Sequence, residues 1–237
     1  MKISVLTIFP ESFKSFLSTP VVKRALDKGL AEIEIVDIRR YAGGSFRHID
    51  DSPYGGGPGM IMRCQPVLDA LGAVAGPESH TVMLSPKGQR YDQKCARRFA
   101  QTEHIVLLCG HYEGIDARVE PYFDEQISLG DYILTGGELA AQVIIDSVVR
   151  LLKGALRDSA TTDESHENGL LEYPQYTHPA VYNGAAVPEV LLSGNHQAIE
   201  DWRRTQALLV TRQNRPDLFE AYSLSDYEKE LLEKAEK

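Results

Sequence analysis

The residues best suited to bind a ligand are glycines in short loops, and the richest such loop spans residues 52–60, SPYGGGPGM. Glycine loses much backbone entropy in a helix or strand, and proline lacks the N–H donor that a β-ladder needs. The segment therefore predicts a loop, either a turn or bare backbone lying close to a flat or bulky group. It is not a P-loop, because no Lys-Ser or Lys-Thr follows Gly59. It is not a dinucleotide fingerprint either, because the third glycine would fall at Met60.

Three further loops, LSPKG, CGHYEGID and LGDYILTGGE, follow strand-like segments. Their glycines are Gly88, Gly110, Gly114, Gly130, Gly136 and Gly137. Ligands of open α/β sheets bind at the C-terminal ends of the strands. A pocket lined by backbone groups suits a ligand with a polar edge, such as an adenine ring. Glu113 and Asp131 would add negative charge near a cation, although either acid fits equally well as an exposed loop residue or a helix cap.

Other catalytic chemistries lack the patterns they need. The chain contains no G-x-S-x-G, no H-E-x-x-H and no recognisable Cys–His signature. Cys64, Cys95 and Cys109 are odd in number and show no C-x-x-C spacing, so neither a disulfide framework nor a zinc site is predicted. We interpret all three as reduced and mostly as core residues, and the sequence predicts no metal site.

The elements that would position these loops follow a β-α-β rhythm. KISVLTIF, AEIEIVDI, TVMLS and HIVLLCG are strand-like, whereas VVKRALDKGL and DQKCARRFAQT have helical spacing. Such a rhythm favours a mostly parallel sheet with helices on both faces. DEQISLGDYIL is a further strand candidate. TGGELAAQVIIDSVVRLLKGAL predicts a long helix on which Asp146 and Arg150 share a face, with an apolar side made of Leu139, Val143, Ile144, Val148, Leu151 and Leu152.

A polar stretch, RDSATTDESHENG, divides the chain of 237 residues. It has no apolar periodicity and is typical of a linker. We therefore predict an α/β domain at 1–157, a flexible linker at 158–172 and a smaller helical domain at 173–237.

The net charge of −9 argues against non-specific binding to a polyanion. WRRTQALLVTRQNRP is a local exception, with four arginines and no acid. These arginines form either a solvated helix face or an RNA contact. No window reaches the roughly 18 apolar residues of a membrane span, and Met1 leads directly into a strand pattern without a signal-peptide layout, so we predict a cytoplasmic protein with no membrane partner.

Six segments in chain order resemble the bacterial tRNA (guanine-N1)-methyltransferase family, the TrmD type of the SPOUT class: SPYGGGPGM, LSPKGQ, CGHYEGID, GDYILTGGELAAQVIIDSVVR, GLLEYPQYTHP and LLSGNHQAIEDWR. The resemblance runs from the first strand to Trp202 and beyond. It implies a SPOUT-type α/β domain whose C-terminal part is threaded through a loop as a deep trefoil knot, which is essentially absent from other folds. A small helical domain that binds tRNA would follow.

The resemblance also implies that S-adenosylmethionine binds, bent, within the knot. The residues that would hold it are Ser85, Pro86, Gly110, Glu113, Leu129, Gly130, Asp131, Tyr132, Ile133, Leu134, Gly136 and Gly137. These residues belong to the loops in which the glycine pattern predicts a backbone-lined pocket.

The reaction implied by the resemblance is methylation of N1 of the guanosine at position 37 of tRNA, immediately 3′ of the anticodon, when another guanosine precedes it. N1 carries a proton in neutral guanine, so a base is required. By resemblance the base is Asp163, and Arg150 stabilises negative charge on O6. The guanosine pocket would include Tyr54, Gly57, Pro58 and Gly59, and the tRNA would contact Arg203 and Arg204.

The family's partners are the anticodon stem-loop of tRNA and a second copy of the chain. The resemblance implies a homodimer in which the segment carrying Asp163 reaches the partner's cofactor pocket, and it leaves open whether Mg²⁺ assists. Two departures stand out. Many relatives have Arg where this chain has His111, so His111 is assigned no cationic role. Many also have Asp-Ser-Phe where this chain has Asp163-Glu164-Ser165 with one extra residue, which leaves Glu164 as a competing base.

Three functional classes therefore differ in what they require. A methyltransferase needs the cofactor loops and the base. A non-catalytic RNA-binding module would keep the arginines and lose the cofactor site. A nucleotide-dependent oxidoreductase would need the dinucleotide fingerprint that the sequence lacks.

Overall fold

The alternating apolar segments of the sequence form the strands of a parallel sheet. The computed structural model describes residues 1–43, 48–156, 164–166 and 168–235. In chain order the strands are β1 (Lys2–Thr7), β2 (Glu32–Asp37), β3 (Asp50–Asp51), β4 (Ile61–Met62), β5 (Ser79–Arg90), β6 (His104–Cys109), β7 (Glu125–Ser128), β8 (Val181–Tyr182) and β9 (Ala185–Ala186). Five of them, in the order β2-β1-β6-β5-β7, make the main sheet, and every pairing in it is parallel.

The helices alternate with these strands and then accumulate towards the C-terminus. They are α1 (Pro20–Asp27), α2 (Cys64–Val74), α3 (Gln93–Ala100), α4 (Glu138–Val149), α5 (Glu189–Leu192), α6 (His196–Asn214), α7 (Pro216–Ala221) and α8 (Asp226–Ala235). Short 3₁₀ segments lie at Pro10–Phe13, Phe16–Ser18, Ile38–Tyr41 and Ala117–Tyr122. The predicted mostly parallel α/β architecture is confirmed.

Alternate residues of the same strand bury the two faces of the sheet, because successive side chains of a strand point in opposite directions. On β6, Ile105 and Leu107 belong to one core cluster, whereas Val106 and Leu108 belong to the other. Residues of α1, α3 and α4 complete the first cluster, and residues of α2 complete the second. Both faces of the sheet are thus covered, and loops lie at the C-terminal ends of its strands.

Two details of the predicted elements are wrong. Only Glu125–Ser128 of the segment DEQISLGDYIL is a strand, and the residues after it form bends and a loop. In α4, Leu139 and Val143 are 57% and 46% exposed. The helix instead buries Ala140, Ala141, Ile144, Ile145, Val148 and Val149. The helix is apolar on most sides, so periodicity did not distinguish its buried face, and the alanines allow it to pack closely on the sheet.

The chain divides into two units, Met1–Asp158 and Ser159–Lys237. The second unit contains the β8–β9 hairpin and the helices α5 to α8. Its core is small: Leu170, Leu208 and Leu232 are buried, and Phe219 and Leu224 pack against them. The segment HQAIEDWRRTQALLV forms most of α6. Across the described residues, no helix is both long and apolar enough to cross a membrane.

Candidate active site

A cavity of about 1130 Å³ opens in the first unit beside the loops that follow β6 and β7. Its lining includes eleven of the residues predicted to bind the cofactor: Ser85, Pro86, Gly110, Glu113, Leu129, Gly130, Tyr132, Ile133, Leu134, Gly136 and Gly137. Tyr54 of the glycine-rich segment also lines it. Within the described part of this unit, Asp131, Gly57, Pro58, Gly59 and Arg150 do not belong to the lining.

β5 turns towards the cavity where its pairing with β7 is irregular. The register shifts between Leu84 and Gln89, and Ser85 and Pro86 lie within this break. Gly88 permits the close approach of the two strands, because a Cβ at this position would lie 2.4 Å from the backbone of Gln126. Packing between β5 and β7 therefore requires glycine at position 88.

The loop after β6 joins the cavity to the glycine-rich segment. The Glu113 N–H donates a hydrogen bond to the Met60 carbonyl at 3.0 Å, and the Met62 N–H donates to the Gly114 carbonyl at 2.9 Å. Gly59 has a φ of +80°, and a Cβ there would lie 2.4 Å from the Glu113 side chain. Gly57, Pro58 and Gly59 are exposed. They are thus connected to the cavity through Glu113 without lining it.

The start of α4 lies against the end of β6 with almost no space between the two backbones. The Gly137 N–H donates a hydrogen bond to the Gly110 carbonyl at 3.0 Å. A Cβ at Gly137 would lie 2.7 Å from the Cα of Cys109, and one at Gly136 would lie 2.0 Å from Nε2 of His111. Only glycine fits at both positions, which explains the Gly-Gly pair of this loop.

A buried carboxylate lies beneath the same loop, and the sequence analysis missed it. Glu138 is 7% exposed. Its Oε1 accepts a hydrogen bond from Thr7 Oγ1 at 2.7 Å, and its Oε2 lies 3.0 Å from His111 Nε2. The Phe9 ring packs edge-on against the His111 ring, with centroids 4.7 Å apart. The ends of β1 and β6 and the start of α4 are thereby held together. The sequence places a glutamate after the two glycines but does not show that it faces a histidine.

An ion pair between Asp116 and Arg118 lines the cavity near α2. Asp116 accepts hydrogen bonds from Arg118 Nε at 2.9 Å and Nη2 at 2.6 Å. These bonds hold the pKa of the Asp116 carboxyl well below its usual range. Burial raises the pKa of the neighbouring Cys64 thiol. Burial likewise raises the pKa of Cys109 well above its usual value. Neither cysteine is activated as a nucleophile, because the thiolate is the reactive form.

The family of the chain is settled by comparison with known proteins. A family model described as tRNA (Guanine-1)-methyltransferase TrmD matches residues 1–221. The chain belongs to the TrmD family. The resemblance drawn from six sequence segments is therefore confirmed.

Its relatives match along nearly their whole lengths and share one name, tRNA (guanine-N(1)-)-methyltransferase. The relative from Geobacillus kaustophilus (strain HTA426) is 48% identical over 100% of this chain and 99% of its own length. Those from Phytoplasma australiense and Clostridium botulinum (strain Kyoto / Type A2) are 46% and 47% identical over 98% of this chain, and over 96% and 97% of their own lengths.

Of the two residues predicted to be catalytic in this TrmD-family chain, the structure describes only Arg150. Arg150 is the C-cap of α4, where its N–H donates a hydrogen bond to the Asp146 carbonyl at 3.2 Å. Asp163 lies outside the described residues. Glu164, the competing base, is half-buried. In the part of the chain that the structure describes, no cluster of three or more acidic, histidine or cysteine side chains is arranged to hold a metal ion.

The two arginines predicted to contact tRNA have different environments on α6. Arg203 is exposed, and its guanidinium lies 5.1 Å from the centroid of the Tyr173 ring. Arg204 is half-buried, and its Nε donates a hydrogen bond to the buried Glu228 at 2.7 Å. Arg204 also bonds the hydroxyl of Tyr222. The structure thus gives Arg204 a role in holding α6 to α8.

Proposed function

We propose that the chain methylates N1 of guanosine 37 in tRNA with S-adenosylmethionine as the methyl donor. The observation that carries the proposal is the match to relatives named tRNA (guanine-N(1)-)-methyltransferase over nearly the full length of both chains. The donor and position 37 come from the resemblance of the six segments. Because the proposed substrate is tRNA, we place the protein in the cytoplasm.

The cavity supports S-adenosylmethionine as the cofactor. Its lining combines the glycine backbones of the loops after β6 and β7 with the apolar side chains of Leu129, Ile133 and Leu134. The carboxylate of Glu113, which also lines the cavity, suits a cation. A side chain at Gly136 or Gly137 would collide with the protein, so the loop keeps its backbone groups bare. We assign the twelve predicted residues, Asp131 included, to this site. S-adenosylmethionine supplies an electrophilic methyl group when bound.

The remaining chemistry is the removal of a proton from N1. We propose Asp163 as the base and Arg150 as the group that stabilises negative charge on O6. An aspartate with an ordinary pKa of roughly 3.9 is a weak base at neutral pH. Burial raises the pKa of a carboxyl group, and the charge on Arg150 lowers the cost of the anion that forms. We propose no metal step.

The base assignment is tested with neighbouring variants. Asp163→Ala should lose nearly all turnover while keeping its affinity for S-adenosylmethionine. Glu164→Ala should keep most activity. The opposite result would make Glu164 the base.

The glycine-rich segment, with Tyr54, Gly57, Pro58 and Gly59, is proposed to receive the target guanosine after it leaves the base stack. Enzymes that react at a base edge take the base out of the stack into a pocket. The positive φ angles of Gly55, Gly56, Gly57 and Gly59 support this assignment, because they keep a compact, side-chain-poor loop beside Glu113. We also propose that the loop around α4 forms the trefoil knot and that residues 173–237 bind the anticodon stem-loop through Arg203 and Arg204.

We further propose that the active unit is a homodimer. Leu139 and Val143 lie four residues apart on α4, so they share an exposed apolar face that a second copy would cover. In such a dimer the segment carrying Asp163 reaches the partner's cavity. Refolding a cavity-blocked chain together with an Asp163→Ala chain tests this arrangement. Activity should return only in the mixture, because one cavity then combines an intact lining with an intact aspartate. An inactive mixture that contains heterodimers by native mass spectrometry would refute the shared site.

The cavity is blocked most cleanly at Gly110. An added Cβ there would meet the flexible end of Ile115 at 3.2 Å, whereas one at Gly137 would meet backbone. Gly110→Val should weaken binding of S-adenosylmethionine at least about tenfold by calorimetry. Gly72→Val is the matched control, because a Cβ at Gly72 would meet no other described atom within 4 Å. Equal affinities in the two variants would refute the cofactor site.

The proposed activity itself is tested by methyl transfer. Unmodified tRNA with guanosine at positions 36 and 37 should yield N1-methylguanosine, detected by mass spectrometry. The same tRNA with adenosine at position 37 is the control and should yield none. Binding of tRNA without any product would refute the proposal and favour a non-catalytic RNA-binding module.

A further inference from the structure

The second unit carries two aromatic pairs outside its apolar core. Tyr176 is 49% exposed, and its ring centroid lies 6.2 Å from that of Trp202. Arg203 lies over the Tyr173 ring at 5.1 Å. Trp202 and Arg203 are consecutive in α6, and their partners lie three residues apart in a segment that is neither helix nor strand. The two pairs therefore connect the same two parts of the chain, and we call these four residues together the aromatic surface.

Stability alone does not account for the aromatic surface. The core of the unit is built from Leu170, Leu208 and Leu232, with Phe219 and Leu224 against them. None of the four residues of the aromatic surface belongs to this described core. Tyr176 is exposed, and Tyr173 and Trp202 are half-buried, so all three rings are at least partly open to solvent. Apolar groups gathered at a surface mark binding sites more often than single exposed residues do.

We infer that the aromatic surface binds an unpaired base of the RNA substrate by stacking. Bases of single-stranded RNA stack on tyrosine and tryptophan rings and on the planar guanidinium of arginine. The surface offers both kinds of plane, and its only charge within these four residues is the cation of Arg203, which suits an RNA backbone. The inference rests on the proposed tRNA substrate and adds a mode of recognition to it, because Arg203 then contributes a plane as well as a charge.

The neighbouring Arg204 shows why the two arginines are not equivalent. Arg204 is occupied by Glu228 and Tyr222, whereas Arg203 is exposed above a ring. Lysine keeps the charge of arginine but lacks the plane that stacks. Arg203→Lys therefore removes the stacking plane and keeps the positive charge. Tyr176→Leu removes the aromatic ring and keeps an apolar side chain.

The test is binding of a fluorescently labelled anticodon stem-loop RNA to the full-length chain, measured by anisotropy at several salt concentrations. Tyr176→Leu and Arg203→Lys should each raise the Kd about tenfold and leave the salt dependence unchanged. Arg203→Gln should also flatten the slope of log Kd against log salt by about 0.7. Tyr176→Phe should bind like the unsubstituted chain. Tyr227→Leu is the matched control, because Tyr227 is also 49% exposed and lies on α8.

Other outcomes overturn the inference in distinguishable ways. If Tyr176→Leu and Arg203→Lys bind the RNA normally and methylation proceeds, the aromatic surface does not bind RNA and the proposed function stands. If Tyr176→Leu instead converts a dimer into monomers in sedimentation, a second copy of the chain covers the surface. If the unsubstituted chain neither binds nor methylates tRNA, the proposed function fails as well. Circular dichroism of each variant separates these results from loss of fold.

Discussion

Glu228 is the residue whose removal should most clearly destabilise the second unit. It is 4% exposed, and it receives hydrogen bonds from the Ser225 N–H and Oγ at 2.7 Å, from Tyr222 at 2.9 Å and from Arg204 Nε at 2.7 Å. Burial by itself would raise the pKa of the carboxyl, but the hydrogen bonds from Ser225, Tyr222 and Arg204 outweigh it and lower the pKa from 4.5 to about 2.

This shift sets the size and the pH range of the effect. One pKa unit corresponds to about 1.36 kcal/mol, so the shift stabilises the folded unit by about 3 kcal/mol. The folded pKa of Glu228 lies below its unfolded value. Its contribution is therefore fully present above the unfolded pKa of 4.5 and is lost as the pH falls through about 2.

The assay is urea unfolding followed by fluorescence of Trp202, the only tryptophan of the chain, which lies in the same unit. Glu228→Gln should lose about 3 kcal/mol of unfolding free energy at pH 7, and the loss should shrink towards pH 2. Glu230→Gln, exposed on the same helix, is the control and should change little. A loss that is equal at pH 7 and pH 2, or no larger than that of Glu230→Gln, would refute the argument.

Three further predictions concern the first unit. Gly88→Ala should lower the free energy of unfolding in urea by more than about 2 kcal/mol, because its Cβ would lie 2.4 Å from strand backbone. Gly72→Ala in α2 is the control and should leave this free energy unchanged or raise it. Similar results for the two variants would contradict the packing argument. Burial raises the pKa of Tyr91 to about 12. Tyr91→Phe and the unsubstituted chain should therefore show the same tyrosinate absorbance below pH 11. A difference in absorbance below this pH would show that the Tyr91 hydroxyl is hydrated. Glu138→Gln should weaken S-adenosylmethionine binding about tenfold by calorimetry, because the start of α4 loses its charge-assisted hydrogen bond to His111. Unchanged affinity would show that the loop keeps its shape without this bond.

The sequence predicts the parallel sheet because its strands are short apolar runs separated by helical periods, a signal carried by local pattern. It also predicts which loops meet, since the C-terminal ends of parallel strands share one edge. The prediction of the buried face of α4 was wrong at Leu139 and Val143, because a helix that is apolar on nearly all sides shows no hydrophobic periodicity. The pair formed by Glu138 and His111 joins residues 27 apart, and no local pattern reports such a contact.

The hydrogen bond from Thr7 to Glu138 also has a consequence for synthesis of the chain. The two residues are 131 positions apart, and β1 pairs with β6, which begins at His104. A ribosome adding 5–20 residues per second takes roughly 7 to 26 seconds to cover that distance. For most of this interval the first strand lacks its β6 neighbour, and it lacks the glutamate throughout. The cavity is therefore assembled late in translation, and until β6 has been made the nascent chain leaves one edge of an apolar strand unpaired.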